Sequence, residues 1–152
     1  MSPTFQKLNL KDRRRIVVLN APASFEPELA ALSGVTVLRK LEGVDAVEFS
    51  LAFVTKQKEV DTLAKTIAKK ASGDAVVWFA YPKGSSKKYK CEFNRDTGWQ
   101  ALGNAGLEPV RMVAIDEDWS AVRFRRVEFI KTMTRDQEHA MTKVGKARLA
   151  RK

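Results

Sequence analysis

Lys83-Gly84-Ser85-Ser86 brings a lysine, a glycine and two hydroxyls into one short stretch. Such a set can hold a phosphate-like anion through an ammonium, hydroxyl donors and closely approaching backbone. It is not a Walker A sequence, because the lysine precedes the glycine and no G-x-x-x-x-G frame exists. The simpler reading of the same residues is a solvent-facing loop. Lys87, Lys88, Lys90 and Arg95 extend the charge, and Tyr89 and Phe93 interleave with the lysines in a pattern suited to base stacking.

A second group lies where the first strand should end. In an open α/β sheet, ligands bind beyond the carboxyl ends of the strands, where strand order reverses. Asn20, Ser24 and Thr55 would rim that crevice, with Lys83–Ser86 farther out. A dinucleotide or methyl-donor site carries a glycine-rich turn there, so that backbone can approach the ligand. This chain has Asn20-Ala21-Pro22-Ala23-Ser24, without a glycine. Glu26 and Glu28 then place two carboxylates in the first turn of the next helix, and Pro27 removes a donor. An anion arriving at that helix end would be repelled. Glu42 lies near the spacing of a ribose-binding acid, a weak signal without the glycines. The conventional cofactor set is therefore expected to be absent, and no cofactor is assigned.

Asp116-Glu117-Asp118 beside Trp119-Ser120 places carboxylates next to a hydroxyl. The single histidine, His139, lies near the end of the chain, so a Ser-His-Asp arrangement has no base in reach. Three acids on a turn read as a solvated tip, with the tryptophan covering the core. One histidine and one cysteine leave little for a metal site, and none is assigned. Cys91 excludes an internal disulfide, and its basic neighbours alone do not make it a nucleophile.

These groups need elements to position them. Ile16–Leu19 is a short β-branched and aliphatic run of the kind buried on both faces of a parallel sheet. Ser24 can cap a helix to about Leu32, stopped by Ser33-Gly34. Strands follow at Val35–Leu41 and Val44–Val54, with no helix between them. Thr55–Ala71 is the strongest helix, since Val60, Leu63, Ala64, Ile67, Ala68 and Ala71 share one stripe and the lysines lie outside it. Ala75–Tyr81 is the fourth strand, Thr97–Asn104 a short helix ended by Gly106, and Pro109–Ile115 with Trp119–Val127 a closing hairpin. Residues 1–130 thus form one α/β domain, and 131–152 a basic tail, helical or disordered.

Right-handed crossovers make this an open, mostly parallel Rossmann-like sheet. The closing hairpin looks like the end of a class I methyltransferase domain, which implies strand order 2-1-3-4-6-5 with one β-α unit missing from the middle. VWFAYPKGSS at 77–86 and GWQALGNAGLEPVRMVAIDEDWSAVRFRR at 98–126 resemble an uncharacterised family of small bacterial proteins. That family looks like a truncated, Rossmann-like relative of methyltransferases. The resemblance covers roughly residues 14–127 and implies a fold, with no catalytic residues to carry over.

The formal net charge is +10 over 152 residues. An acidic partner is electrostatically plausible on that ground. Lys11 and Arg13–Arg15 precede the first strand, and Arg123, Arg125 and Arg126 line the last. Lys143, Lys146, Arg148 and Arg151 lie near the end. The short apolar run at Ile16–Leu19 is no signal peptide, and no segment reaches the ~20 apolar residues of a membrane span. A cytoplasmic location and no membrane partner are expected. Three readings result: a small non-catalytic binding or interaction module, a divergent nucleotide- or S-adenosylmethionine-binding enzyme, and a nucleic-acid binder working through the loop and tail. A protein partner, or a homodimer paired through an exposed last strand, would suit the first.

Overall fold

Ile16, Val17, Val18 and Leu19 alternate between two cores, so the first strand must be covered on both sides. The computed structural model describes residues 3–11, 13–84, 86, 87, 89–91 and 98–130. In chain order its elements are α1 (Pro3–Lys7), β1 (Arg15–Leu19), α2 (Glu26–Ala30), β2 (Thr36–Leu38) and β3 (Val47–Phe53). Then come α3 (Gln57–Lys70), β4 (Ala71–Pro82), α4 (Gln100–Asn104), β5 (Leu107–Ala114) and β6 (Trp119–Arg126). The six strands form one sheet in the order β2-β1-β3-β4-β6-β5. The first four are parallel, and β6 runs antiparallel between β4 and β5. The order matches the expected one, and the last strand lies inside the sheet rather than at its edge. The strand available for edge pairing at that end is β5, which exposes Val110 and Met112.

The sheet buries a different core on each face. Ile16, Val18, Phe49, Leu51, Val76 and Trp78 share a core with Phe5 of α1, Leu8 just after it, Phe25 before α2 and Leu29 within α2. Val17, Leu19, Val77, Phe79, Val122 and Phe124 face α3 and α4, which contribute Val60, Ala64, Ile67 and Leu102. The stripe foreseen on α3 is therefore its packing face. Its last carbonyls are met by the Arg126 guanidinium, which donates to Ala68 O at 2.7 Å and Ala71 O at 3.1 Å. A cation is favoured there by the helix dipole.

Four local details depart from expectation. α1 had no counterpart in the sequence reading. Ser24 does not cap a helix: it sits inside a 3-10 turn, Ala23–Phe25, that leads into a five-residue α2, and neither start has a side-chain cap. Pro27, three residues after Ser24, has no N–H to donate to the Ser24 hydroxyl, which removes one of the two usual capping bonds. β4 begins at Ala71, directly from α3, because Gly73 (φ +56°) bends the backbone and the pairing with β3 shifts register there. Between β2 and β3 the chain crosses back in eight residues, 39–46, with Leu41 and Val44 buried on the α3 side.

Candidate functional site

β1, β3 and β4 are neighbours, so the sequence-selected residues after each share the carboxyl end of the sheet. After β1, Asn20 takes a left-handed conformation (φ +59°) that turns the chain without a glycine. Ser24 is exposed beyond it. At the end of β2, where an acid would meet a ribose, stands Arg39. Its guanidinium forks onto Glu26, donating at 2.8 Å to each carboxylate oxygen. That bond holds the Glu26 carboxyl below its usual range. Glu42 is exposed, four residues past the end of β2.

The loop after β3 is filled from within. Glu59, in the first turn of α3, turns its carboxylate back onto the loop. It accepts the backbone N–H of Thr55 at 2.9 Å and of Lys56 at 3.0 Å, with the Thr55 hydroxyl at 3.4 Å. This satisfies donors that a helix start would otherwise offer to an anion. Gln57 donates to Gly98 O at 2.8 Å, pinning the same corner to the segment before α4.

The Lys83–Ser86 loop docks onto the β5–β6 turn. Lys83 N–H donates to Asp118 O at 2.8 Å, and the Ser86 hydroxyl donates to the Asp118 carboxylate at 2.9 Å. The Ser86 oxygen in turn accepts Tyr89 N–H at 3.2 Å. Asp116 accepts the N–H groups of Asp118 and Trp119, both at 2.8 Å, which folds the turn tip. Tyr89 lies against Trp119, ring centroids 4.9 Å apart. An anion at Ser86 would thus compete with a carboxylate already bonded to it. Gly84, Lys87 and Lys90 are exposed. Ser85, Lys88, Phe93 and Arg95 lie outside the described residues, as do Lys143, Lys146, Arg148 and Arg151. Among the described residues no group of three His, Cys, Asp or Glu could hold a metal ion, and Cys91 is half-buried against the α3-side core. No helix among them is long and apolar enough to cross a membrane.

From the middle of the sheet toward its amino end runs a charge cluster that sequence spacing could not assemble. On the α1 side, Arg111 of β5 is paired with Arg123 of β6, and Arg125 lies two residues on. Asp74 of β4 takes a fork from Arg125 at 2.8 and 2.6 Å. Burial and the adjacent charges of Arg125, Arg13 and Arg111 hold the Arg123 guanidinium below its ordinary value, against the pull of Asp74. Its Nε is buried without a partner among the described residues. Arg13 comes from before β1, and donates to Asn9 O and Leu10 O at 3.1 and 3.3 Å. Next to it, a cavity of about 400 Å³ opens between the segment after α1 and the turn before β2.

No family model matches the chain, and none of the curated proteins does. Solved structures do. A SAM dependent methyltransferase from Aquifex aeolicus is 15% identical and superimposes with a TM-score of 0.55, over 81% of this chain and 87% of that one. A putative type 11 methyltransferase from Sulfolobus solfataricus gives 0.54 at 9% identity, covering 91% and 97%. The N-methyltransferase NodS from Bradyrhizobium japonicum gives 0.52 at 12%, covering 81% and 93%. With the strand order 2-1-3-4-6-5, these likenesses make the fold methyltransferase-like and Rossmann-like.

Proposed function

We propose that this protein is a non-catalytic binding or interaction module on a methyltransferase-like frame. The observation that carries the reading is the Glu59 carboxylate seated on the N–H groups of Thr55 and Lys56. A cofactor bound between β1 and β3 needs free donors and close backbone on the rims of that crevice. On one rim the donors are taken by Glu59. On the other, Asn20-Ala21-Pro22 replaces a glycine-rich turn, and Arg39 at the end of β2 is tied to Glu26.

Titration of S-adenosylmethionine and of NAD into isotope-labelled protein tests this reading. The amides of Asn20, Ala21, Ala23, Ser24, Thr55 and Lys56 should stay in place through millimolar ligand. Saturable shifts clustered at those amides would overturn it and turn attention to an enzyme with a divergent cofactor turn.

A further inference from the structure

The amino end of the sheet, opposite the crevice, holds a cavity that shares no residue with the carboxyl-end rim. We propose that this cavity, between the segment after α1 and the turn before β2, binds a small, multiply charged phosphate-bearing ligand, whatever the carboxyl end does. Its volume of about 400 Å³ lies within the ~300–1,000 Å³ typical of small-molecule sites. Every charged residue described in its lining is a cation: Lys11, Arg13 and Arg14. Ser33 adds a hydroxyl, and Leu32 and Val35 add apolar wall that packs onto the α1-side core.

The walls are held in place. Thr36 N–H donates to Arg14 O at 2.7 Å, which fastens the two sides of the cavity together. The bonds from Arg13 to Asn9 O and Leu10 O fix the guanidinium at the inner side. Asn9 (φ +64°) and Lys11 (φ +55°) both adopt left-handed backbone, an unfavourable choice for a lysine. That conformation folds the segment after α1 against β1 instead of letting it extend.

Charge then argues for phosphate over a single carboxylate. Of the lining cations, Arg13 also interacts electrostatically with Arg123 and Asp74. Asp74 is bonded to Arg125, so its charge is already engaged. Three cations in one lining match a ligand with two or more negative charges better than a single carboxylate. The apolar wall would cover an organic part of the ligand, a role that an extended nucleic-acid backbone has no need of.

Inorganic pyrophosphate and ADP, titrated calorimetrically into the full chain at constant ionic strength, are the probes. Saturable binding is expected, with amide shifts at Leu10, Lys11, Arg14 and Ser33–Val35 and none at Asn20–Ser24. The double variant Lys11→Gln/Arg14→Gln alters two exposed side chains, and should weaken pyrophosphate by at least about tenfold. Lys65→Gln, which removes one such charge from the outer face of α3 and matches the single variant Arg14→Gln, should leave affinity unchanged. Thermal melts establish that each variant is folded, and the single variant Arg14→Gln, with a smaller loss expected, replaces the double if that one is not. The proposal falls if pyrophosphate does not saturate, if Lys65→Gln weakens it equally, or if the cavity variants bind as the parent does. It falls equally if only a single-stranded oligonucleotide binds and pyrophosphate fails to compete.

Discussion

Arg39 ties the end of β2 to the first turn of α2: its guanidinium donates at 2.8 Å to each oxygen of Glu26. The pair is exposed, so its geometry says more about where the chain is directed than about stability. It spans the outer rim of the β1–β3 crevice and engages one of the two carboxylates in that turn. The repulsive helix start read from Glu26 and Glu28 is thus half neutralised by an arginine that sequence spacing did not connect to it.

Arg39→Ala should raise the midpoint of Glu26 toward that of a free carboxylate, followed by side-chain NMR. The Glu26 carboxyl is lowered in the folded state, first through its hydrogen bond with Arg39. Its contribution is therefore present above the unfolded carboxylate range and is lost as pH falls through the lowered folded value. In the variant that acid-side dependence should vanish, with little change in stability at neutral pH. An unmoved midpoint would mean that the fork does not persist in solution.

Trp78 joins the sheet to α1, since its indole N–H donates to Leu8 O at 2.8 Å while the ring is fully buried. Trp78→Phe removes that donor and leaves a void, and should cost about 2 kcal/mol. Leu8→Ala, which empties a buried site in the same core, should cost about 3 kcal/mol. Urea unfolding with an unchanged slope would confirm both. A cost below about 0.5 kcal/mol for Leu8→Ala would mean that α1 is not docked.

The sheet was legible from sequence because its strands are β-branched and aliphatic runs between Gly, Ser and Asp punctuation, although β2 stops at Leu38 where the pattern extended it to Leu41. α1 was not. Phe5, Leu8 and Leu10 make too short a pattern to read locally, and their burial depends on Phe25, Phe49 and Trp78, distant in sequence. The rim residues of the carboxyl end were found by the rule that ligands gather beyond strand ends. Their internal partners, Glu59 on Thr55 and Asp118 on Ser86, were hidden because a side chain turning back leaves no mark in composition. The arginine cluster was half visible: Arg123 and Arg125 alternate on β6, but only its insertion between β4 and β5 brings Arg111, Asp74 and Arg13 to them.

Asp74→Asn should lower stability by about 1 kcal/mol at low salt, a figure reduced for partial exposure of the pair. The loss arises from two sources, the fork to Arg125 and the exposure of Arg123 to its like-charged neighbours. Salt screens the second, so added salt should recover part of the loss. The Asp74 carboxyl is lowered chiefly by its hydrogen bond with Arg125. Its stabilisation is complete above the unfolded carboxylate range and disappears as pH falls through the depressed folded value. Urea melts of parent and variant across that acid range should converge. Parallel curves would show that the pair is not the source.

Glu59→Ala separates the architectural role of the crevice corner from any binding role. The carboxylate satisfies Thr55 and Lys56 N–H, and losing such a cap costs about 1 kcal/mol. Glu59→Gln keeps an acceptor oxygen but not the charge, so it should fall between the parent and Glu59→Ala. Lys56→Ala should change stability by less than about 0.5 kcal/mol, because an ammonium has no acceptor to offer the helix start. Hydrogen exchange at Thr55 and Lys56 gives the local readout: both amides should exchange faster in Glu59→Ala, while Val60 and Ala64 farther along α3 change less. If Thr55 and Lys56 kept the parent's protection in Glu59→Ala, their N–H groups would have another partner, and the corner would not be closed by Glu59.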